Sequence, residues 1–190
     1  MKFAHLADCH IGGWREPKMR DANTKSFIAA IDHCLKERVD FVLISGDLFN
    51  TAVPAIDSLR MAVEQLKRVK DADIPIYIIA GSHDFSPSGK TMLDVLEHAG
   101  LAVNVAKGEE MPDNRIKLHF TIDKKTGVKI TGMIGKKGGL ESGYYHHLAK
   151  EHLEREPGPK IFLFHSAIAE LKPKELEKME EEFYKSAKAA

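Results

Sequence analysis

Four continuous apolar runs dominate the sequence, and the residues that close them are mostly acids and histidines. The runs are "KFAHLAD" (2–8), "DFVLISGD" (40–47), "IPIYIIAG" (74–81) and "PKIFLFHS" (159–166). Short runs that are apolar throughout and bounded by turn residues read as strands buried on both faces. Segments of helical spacing separate the first three. Phe27, Ile31, Cys34 and Leu35 mark a helix over roughly 22–38. Ile56, Leu59, Val63 and Leu66 mark a second over 56–69, preceded by Pro54, and Met92 to Ala99 forms a short third. The order βαβαβα predicts a parallel sheet covered on both faces by helices, an α/β fold.

The pattern changes after residue 100. "IKLHFTI" (116–122) and "GVKITGMI" (127–134) flank "DKKT" and read as a β-hairpin insertion. Residues 136–143 read as a loop and 144–155 as a helix. From Pro173 the chain is a charged helical pattern with a sparse stripe of Leu176, Met179 and Phe183. The 190 residues suit one domain or part of a larger one. No apolar stretch approaches the roughly 20 residues of a membrane span, so no membrane partner is expected. Two cysteines make no disulfide framework, and the expected location is the cytoplasm. Lys+Arg and Asp+Glu both total 28, so net charge gives no basic footprint for nucleic acid.

Ligands of open parallel sheets bind beyond the carboxyl ends of the strands. There this chain carries Asp8 and His10, then Asp47, then Ser82, His83 and Asp84, and finally His165. Alone, any of these reads as a turn former, a cap or a surface residue. Together they form a constellation of carboxylate and imidazole, which suits Mn²⁺, Fe²⁺ or Zn²⁺ better than an all-oxygen Ca²⁺ cage. Asp8 and His10 lie two apart, so an extended backbone points both the same way, with Cys9 facing the core. Asp47, on a middle strand, is placed to bridge two ions, an arrangement that serves in-line displacement at phosphorus. Metal-assisted phosphoester hydrolysis is the reaction class these residues suggest. The "SGKT" at 88–91 is no phosphate loop, because the required first glycine falls on Asp84. His146 and His147 read as exposed residues at a helix start, and the lysines at 124, 125, 129, 136 and 137 as a solvated hairpin.

"DCH", "GDLFN", "GSHD" and "FLFHS", in that order, resemble the calcineurin-like metallophosphoesterases. More narrowly, "MKFAHLADCHIG" with "LISGDLFN" resembles the SbcD-type nuclease subunit of DNA double-strand-break repair complexes in its archaeal form. The resemblance implies a layered fold and two Mn²⁺ ions. It implies Asp8 and His10 on the first metal, Asp47 bridging, and position 82 and His165 on the second. It implies that His83 acts off the metals as general acid or transition-state stabiliser, oriented by Asp84. Histidine suits that task because its ordinary pKa lies near working pH. DNA as substrate, a homodimer and an SMC-like ATPase partner are implied too.

Position 82 is serine where the broad family has asparagine, and no G-H-x-H follows His165. The fold is therefore expected to be incomplete relative to the family. Residues 1–179 would form the N-terminal part of the nuclease domain and 180–190 a divergent helical tail, in a fragment, a short paralogue or an engineered miniature. With one or two ions held, three readings stay open: a weakened DNA nuclease, a phosphodiesterase acting on small substrates, and a catalytically silent dimerisation or partner-binding module.

Overall fold

The computed structural model describes residues 1–86, 90–136, 142–166 and 168. The tail expected from Pro173, with its division at 180, lies outside the described residues, as does most of the loop at 136–143. The first half alternates β1 (Phe3–Leu6), α1 (Pro17–Glu37), β2 (Phe41–Ser45), α2 (Ile56–Asp71), β3 (Ile76–Ile79), α3 (Met92–His98) and β4 (Val103–Asn104). These strands form one parallel sheet in the order β1-β2-β3-β4. The second half contributes β5 (Gly108–Glu110), β6 (Ile116–Leu118), β7 (Thr121–Ile122), β8 (Lys129–Gly132), α4 (Ser142–His146), α5 (Lys150–Arg155) and β9 (Lys160–Leu163). Strands β7-β8-β9 make a second sheet, and β5 pairs with β6 alone.

Helices cover one face of the first sheet, not both. Val42, Ile44, Ile76 and Ile78 pack against Phe27, Ile31, Leu66, Val69, Leu93 and Leu96 of α1, α2 and α3. The alternate residues Phe41, Leu43, Tyr77 and Ile79 pack against Val128, Ile130 and Leu163 of the second sheet. Both faces of β2 and β3 are dry, which is why those runs are apolar throughout; each buried Leu, Ile or Phe contributes about 1.5–3 kcal/mol. The hairpin β7–β8 forms as expected, and with β9 it supplies the second layer of a sandwich. Strand β1 departs from expectation as well: it is an edge strand, and Phe3 is 41% exposed. Strand β9 is an edge of the second sheet among the described residues, and only its Leu163 is buried.

Element boundaries differ from expectation where local chemistry outweighs periodicity. Helix α1 starts about five residues earlier than expected, because Pro17 occupies its first turn and the Glu16 side chain caps Met19 N–H at 2.8 Å. Helix α3 starts where expected, at a capping box between Thr91 and Asp94. Ile56 of α2 points outward, and the buried face runs through Ala62, Gln65, Leu66 and Val69. The helix expected at 144–155 is split at Leu148, where the chain extends and Ile116 exchanges hydrogen bonds with His147 and Ala149.

Asp123 joins the two sheets. Its carboxylate, almost fully buried, accepts from Tyr77 Oη at 2.7 Å and from Thr126 N and Oγ1 at 2.8 and 2.6 Å. Burial alone would raise its pKa, but these donors outweigh it and hold the carboxyl below the usual carboxylate value. Burial and the same carboxylate push the Tyr77 hydroxyl far up. Asp123→Ala should cost about 2–3 kcal/mol, since it leaves a buried hydroxyl unpaired, read as a lower urea midpoint. With the folded pKa depressed, the gap from wild type should be full at neutral pH and close as pH falls through that value.

Candidate metal centre

The loops that follow β1, β2 and β3 meet at the carboxyl end of the first sheet. Parallel pairing continues past the strands: Asp8 N–H donates to Gly46 O at 3.2 Å, His10 N–H to Asp47 O at 2.9 Å and Ile11 N–H to Leu48 O at 2.9 Å. Asp8, His10 and Asp47 all sit at positive φ, 52°, 45° and 51°. Asp8 and His10 therefore converge through left-handed backbone, not through the extended conformation their spacing suggests. Cys9 faces the helical core as expected, and burial pushes its thiol up to about 12.

Asp47 is the centre of the site. Its side chain is only 3% exposed, against 61% for Asp8. His10 Nε2 lies 3.7 Å from both Asp8 Oδ1 and Asp47 Oδ2, and His165 Nε2 lies 3.3 Å from Asp47 Oδ2. His83 N–H donates to Asp47 Oδ1 at 2.8 Å, and the Ser82 hydroxyl stands 3.5 Å from Oδ2. Two sets of candidate donor atoms result, one from His10, Asp47 and His83 and one from Asp8, Asp47 and His165, each within 4.8 Å of one another. Asp47 belongs to both sets, as a bridging carboxylate must.

The imidazoles are prepared for coordination. His83 Nδ1 donates to Asn50 O at 2.8 Å and His165 Nδ1 to Ser45 O at 2.9 Å. A carbonyl only accepts, so Nδ1 carries the proton in both rings and Nε2 is left for a cation or a proton. Mixed oxygen and imidazole donors of this kind fit a divalent transition metal. His83 thus falls within ligand range of His10 and Asp47, closer than expected for a residue held off the metals. The T-shaped contact of the His10 and His83 rings, centroids 4.8 Å apart, agrees with that placement.

Asp84 does not touch His83 in the way expected. Its buried carboxylate accepts Leu48 N–H at 3.2 Å, Phe49 N–H at 3.0 Å and Gly81 N–H at 3.1 Å, so it pins the loops after β2 and β3 together. Burial raises its pKa in spite of these donors. Asn50, which orients His83, lies within the "GDLFN" stretch yet carries no signal of that task, because its contribution comes from the backbone. Ser45 is silent for the same reason. His146 and His147 are exposed and belong to neither donor set. Lys125 pairs with Asp40 and Lys129 with Glu156, so these hairpin lysines are engaged at the surface.

The site opens into a trough of about 800 Å³ lined by Asp8, Ser82, His165, Lys136, Phe3 and Phe164 among others. An open sheet end with one buried acid serving two sets of nitrogen and oxygen donors suits a divalent cation. The chain belongs to the calcineurin-like phosphoesterase family, which it matches over residues 1–185. It is 28% identical over 192 residues to the DNA double-strand break repair protein Mre11 of Methanopyrus kandleri, across 97% of this chain and 42% of that protein. The protein of the same name from Archaeoglobus fulgidus is 31% identical over 125 residues, covering 62% of this chain and 28% of its own length. That from Methanococcus maripaludis is 40% identical over 91 residues, covering 46% and 24%. The chain therefore spans less than half the length of these relatives. Among solved structures, TT1561 of Thermus thermophilus shares the fold with a TM-score of 0.53 at 15% identity, over 93% of this chain and 75% of that one.

Two outcomes follow from the geometry. A Cβ at Gly81 would lie 2.1 Å from Asp47 Oδ1 and 2.3 Å from Asp47 N. Gly81→Ala should therefore displace the central carboxylate and weaken Mn²⁺ binding by about ten- to a hundredfold, measurable by titration calorimetry. The second concerns His165, whose pKa the Asp47 hydrogen bond raises to about 9 against the opposing effect of burial. In the metal-free chain this pair stabilises the fold below the ordinary histidine value and fades as pH rises through about 9. A cation must displace that proton. Mn²⁺ uptake at pH 7.5 should release about one proton, and affinity should rise about tenfold per pH unit towards 9, as read by calorimetry in buffers of differing ionisation enthalpy.

Proposed function

We propose that this chain is the catalytic-site part of a metal-dependent nuclease that hydrolyses phosphodiester bonds in DNA during double-strand-break repair. Asp47, shared between two donor sets, is the observation that carries the reading. Mn²⁺ is the proposed ion, held by Asp8, His10, Asp47 and His165, with Ser82 beside the bridging carboxylate. Bound divalent cations supply Lewis-acid charge to the phosphoryl oxygens and make a water nucleophilic at neutral pH. The chain's own groups do the rest. Asp47 is anchored through Oδ1 by His83 N–H, so the carboxylate meets the cations without reorganising. His83, its Nδ1 proton committed to Asn50 O, offers Nε2 to hold a proton and pass it to the leaving oxygen. The open trough beside the site, with the Lys136 cation on its lining, suits a polymer better than a small substrate.

The names of the Mre11 relatives support DNA and the repair setting, and the cytoplasm is the proposed location. A homodimer and an SMC-like ATPase partner are part of the same proposal. Val53 and Ile56, at 81% and 77% exposure, leave apolar surface at the start of α2 for a second copy. The dimer should appear as twice the monomer mass in light scattering and be weakened by Ile56→Asp.

The chain should nick plasmid DNA in Mn²⁺, and His83→Ala should lower the rate by about a hundredfold or more. Calorimetry on the same variant separates the two roles open to His83: unchanged Mn²⁺ stoichiometry marks a proton donor, and a lost ion marks a ligand. Equal cleavage by wild type and variant would instead leave a silent binding module. Hydrolysis of bis-p-nitrophenyl phosphate without action on DNA would point to small substrates.

A further inference from the structure

Three histidines surround Asp47, and two of them have Nδ1 fixed by a carbonyl, His83 by Asn50 and His165 by Ser45. The third does not. His10 Nδ1 is buried and has no hydrogen-bond partner among the described residues, although its Nε2 faces Asp8 and Asp47 as a ligand would. A second buried orphan belongs to Asn23 of α1. Its Nδ2 donates to Cys9 O at 2.8 Å, but its Oδ1 accepts from none of the described residues. One orphan is a donor when its ring is the Nδ1–H tautomer, and the other is an acceptor. They belong to residues joined through Cys9, whose carbonyl carbon is bonded to the His10 nitrogen. Buried polar groups without partners are costly, and a histidine that ligates a metal nearly always donates its other N–H to an oxygen.

We propose that Asn23 is a positioning residue of the metal centre: its Nδ2 clamps the Asp8–His10 loop through Cys9 O, and its Oδ1 accepts His10 Nδ1–H when His10 Nε2 takes a cation. The clamp acts on the residue lying between two left-handed ones, Asp8 and His10. The N–H groups of Asp8 and His10 pair this loop with the one after β2, and the Asn23 amide holds the carbonyl between them from the side of α1. The carbonyl then fixes the tautomer of His10, as Asn50 and Ser45 fix those of its neighbours. Asn23 is half-buried on a helix whose fully buried residues are apolar core.

The inference rests on the metal-centre reading above, and the test separates the two. Histidine-¹⁵N-labelled chain would be loaded with diamagnetic Zn²⁺, and long-range ¹H–¹⁵N spectra recorded for the ring nitrogens. In wild type, His10 should be the Nδ1–H tautomer with a downfield proton protected from solvent exchange. Asn23→Ala should abolish that protection, leave the His83 and His165 Nδ1–H signals in place, and weaken binding of one Mn²⁺ by about ten- to a hundredfold. A wild-type His10 Nδ1–H that exchanges like a free imidazole would overturn the proposal without any variant. So would an Asn23→Ala chain whose His10 signal is unchanged, even if its melting temperature falls, because that is what a merely structural amide predicts. Failure of Zn²⁺ and Mn²⁺ to bind at all would overturn the metal-centre reading together with this one.

Discussion

Three backbone N–H groups converge on one buried carboxylate, and the site is assembled around that contact. Asp84 draws Leu48, Phe49 and Gly81 together, so the loops after β2 and β3 cannot drift apart. Charge-assisted bonds to a carboxylate out of water are among the stronger contacts a fold can make. With those loops joined, Gly81 passes so close to Asp47 that no larger residue fits, and the central carboxylate has one position. Gly46 plays the matching part on the other side, its φ of 87° turning the chain while a Cβ there would strike His165 Nδ1 at 2.5 Å. The surroundings of Asp47 are thus packed as a core is packed, while Asp8 faces the open trough.

The sandwich behind it serves the same end. The two dry faces of β2 and β3 fix the height of the strand ends, and the Tyr77–Asp123 contact locks the second sheet against the first. His165 arrives from β9, in that second sheet, and reaches Asp47 across the seam. The donor set of Asp8, Asp47 and His165 therefore exists only while both sheets stay in register.

The donors are legible in the sequence because they follow apolar runs, and a run that is buried on both faces announces where its open end lies. Asp8, His10, Asp47, Ser82, His83 and His165 are all brought to one place by the fold. The contribution of backbone is not legible. Asn50 and Ser45 orient histidines with carbonyl oxygens that every residue type possesses, so nothing in their identity signals the task. Asp84 is visible in the sequence, but its carboxylate goes to backbone N–H groups rather than to His83, which the resemblance implies it orients. Periodicity reveals the helices of the first half, and the hairpin pattern and the run at 159–166 reveal β7, β8 and β9, but strands of two to four residues carry no sign that the three pair into a second sheet. Leu148 shows the same limit: a tertiary pairing with β6 breaks a helix that its neighbours would have continued.

The left-handed backbone at Asp8, His10 and Asp47 has a consequence for which sequences can occupy these loops. Outside glycine, this region is tolerated best by Asn, Asp and His, whose short polar side chains bear the crowding with least penalty. Those are also the side chains with oxygen or nitrogen donors for a divalent cation. Conformational tolerance and coordination chemistry select the same small alphabet at the same three positions. A chain that drifted to alanine or leucine there would lose the bend and the ligand in one step, so neither property can be eroded while the other is kept.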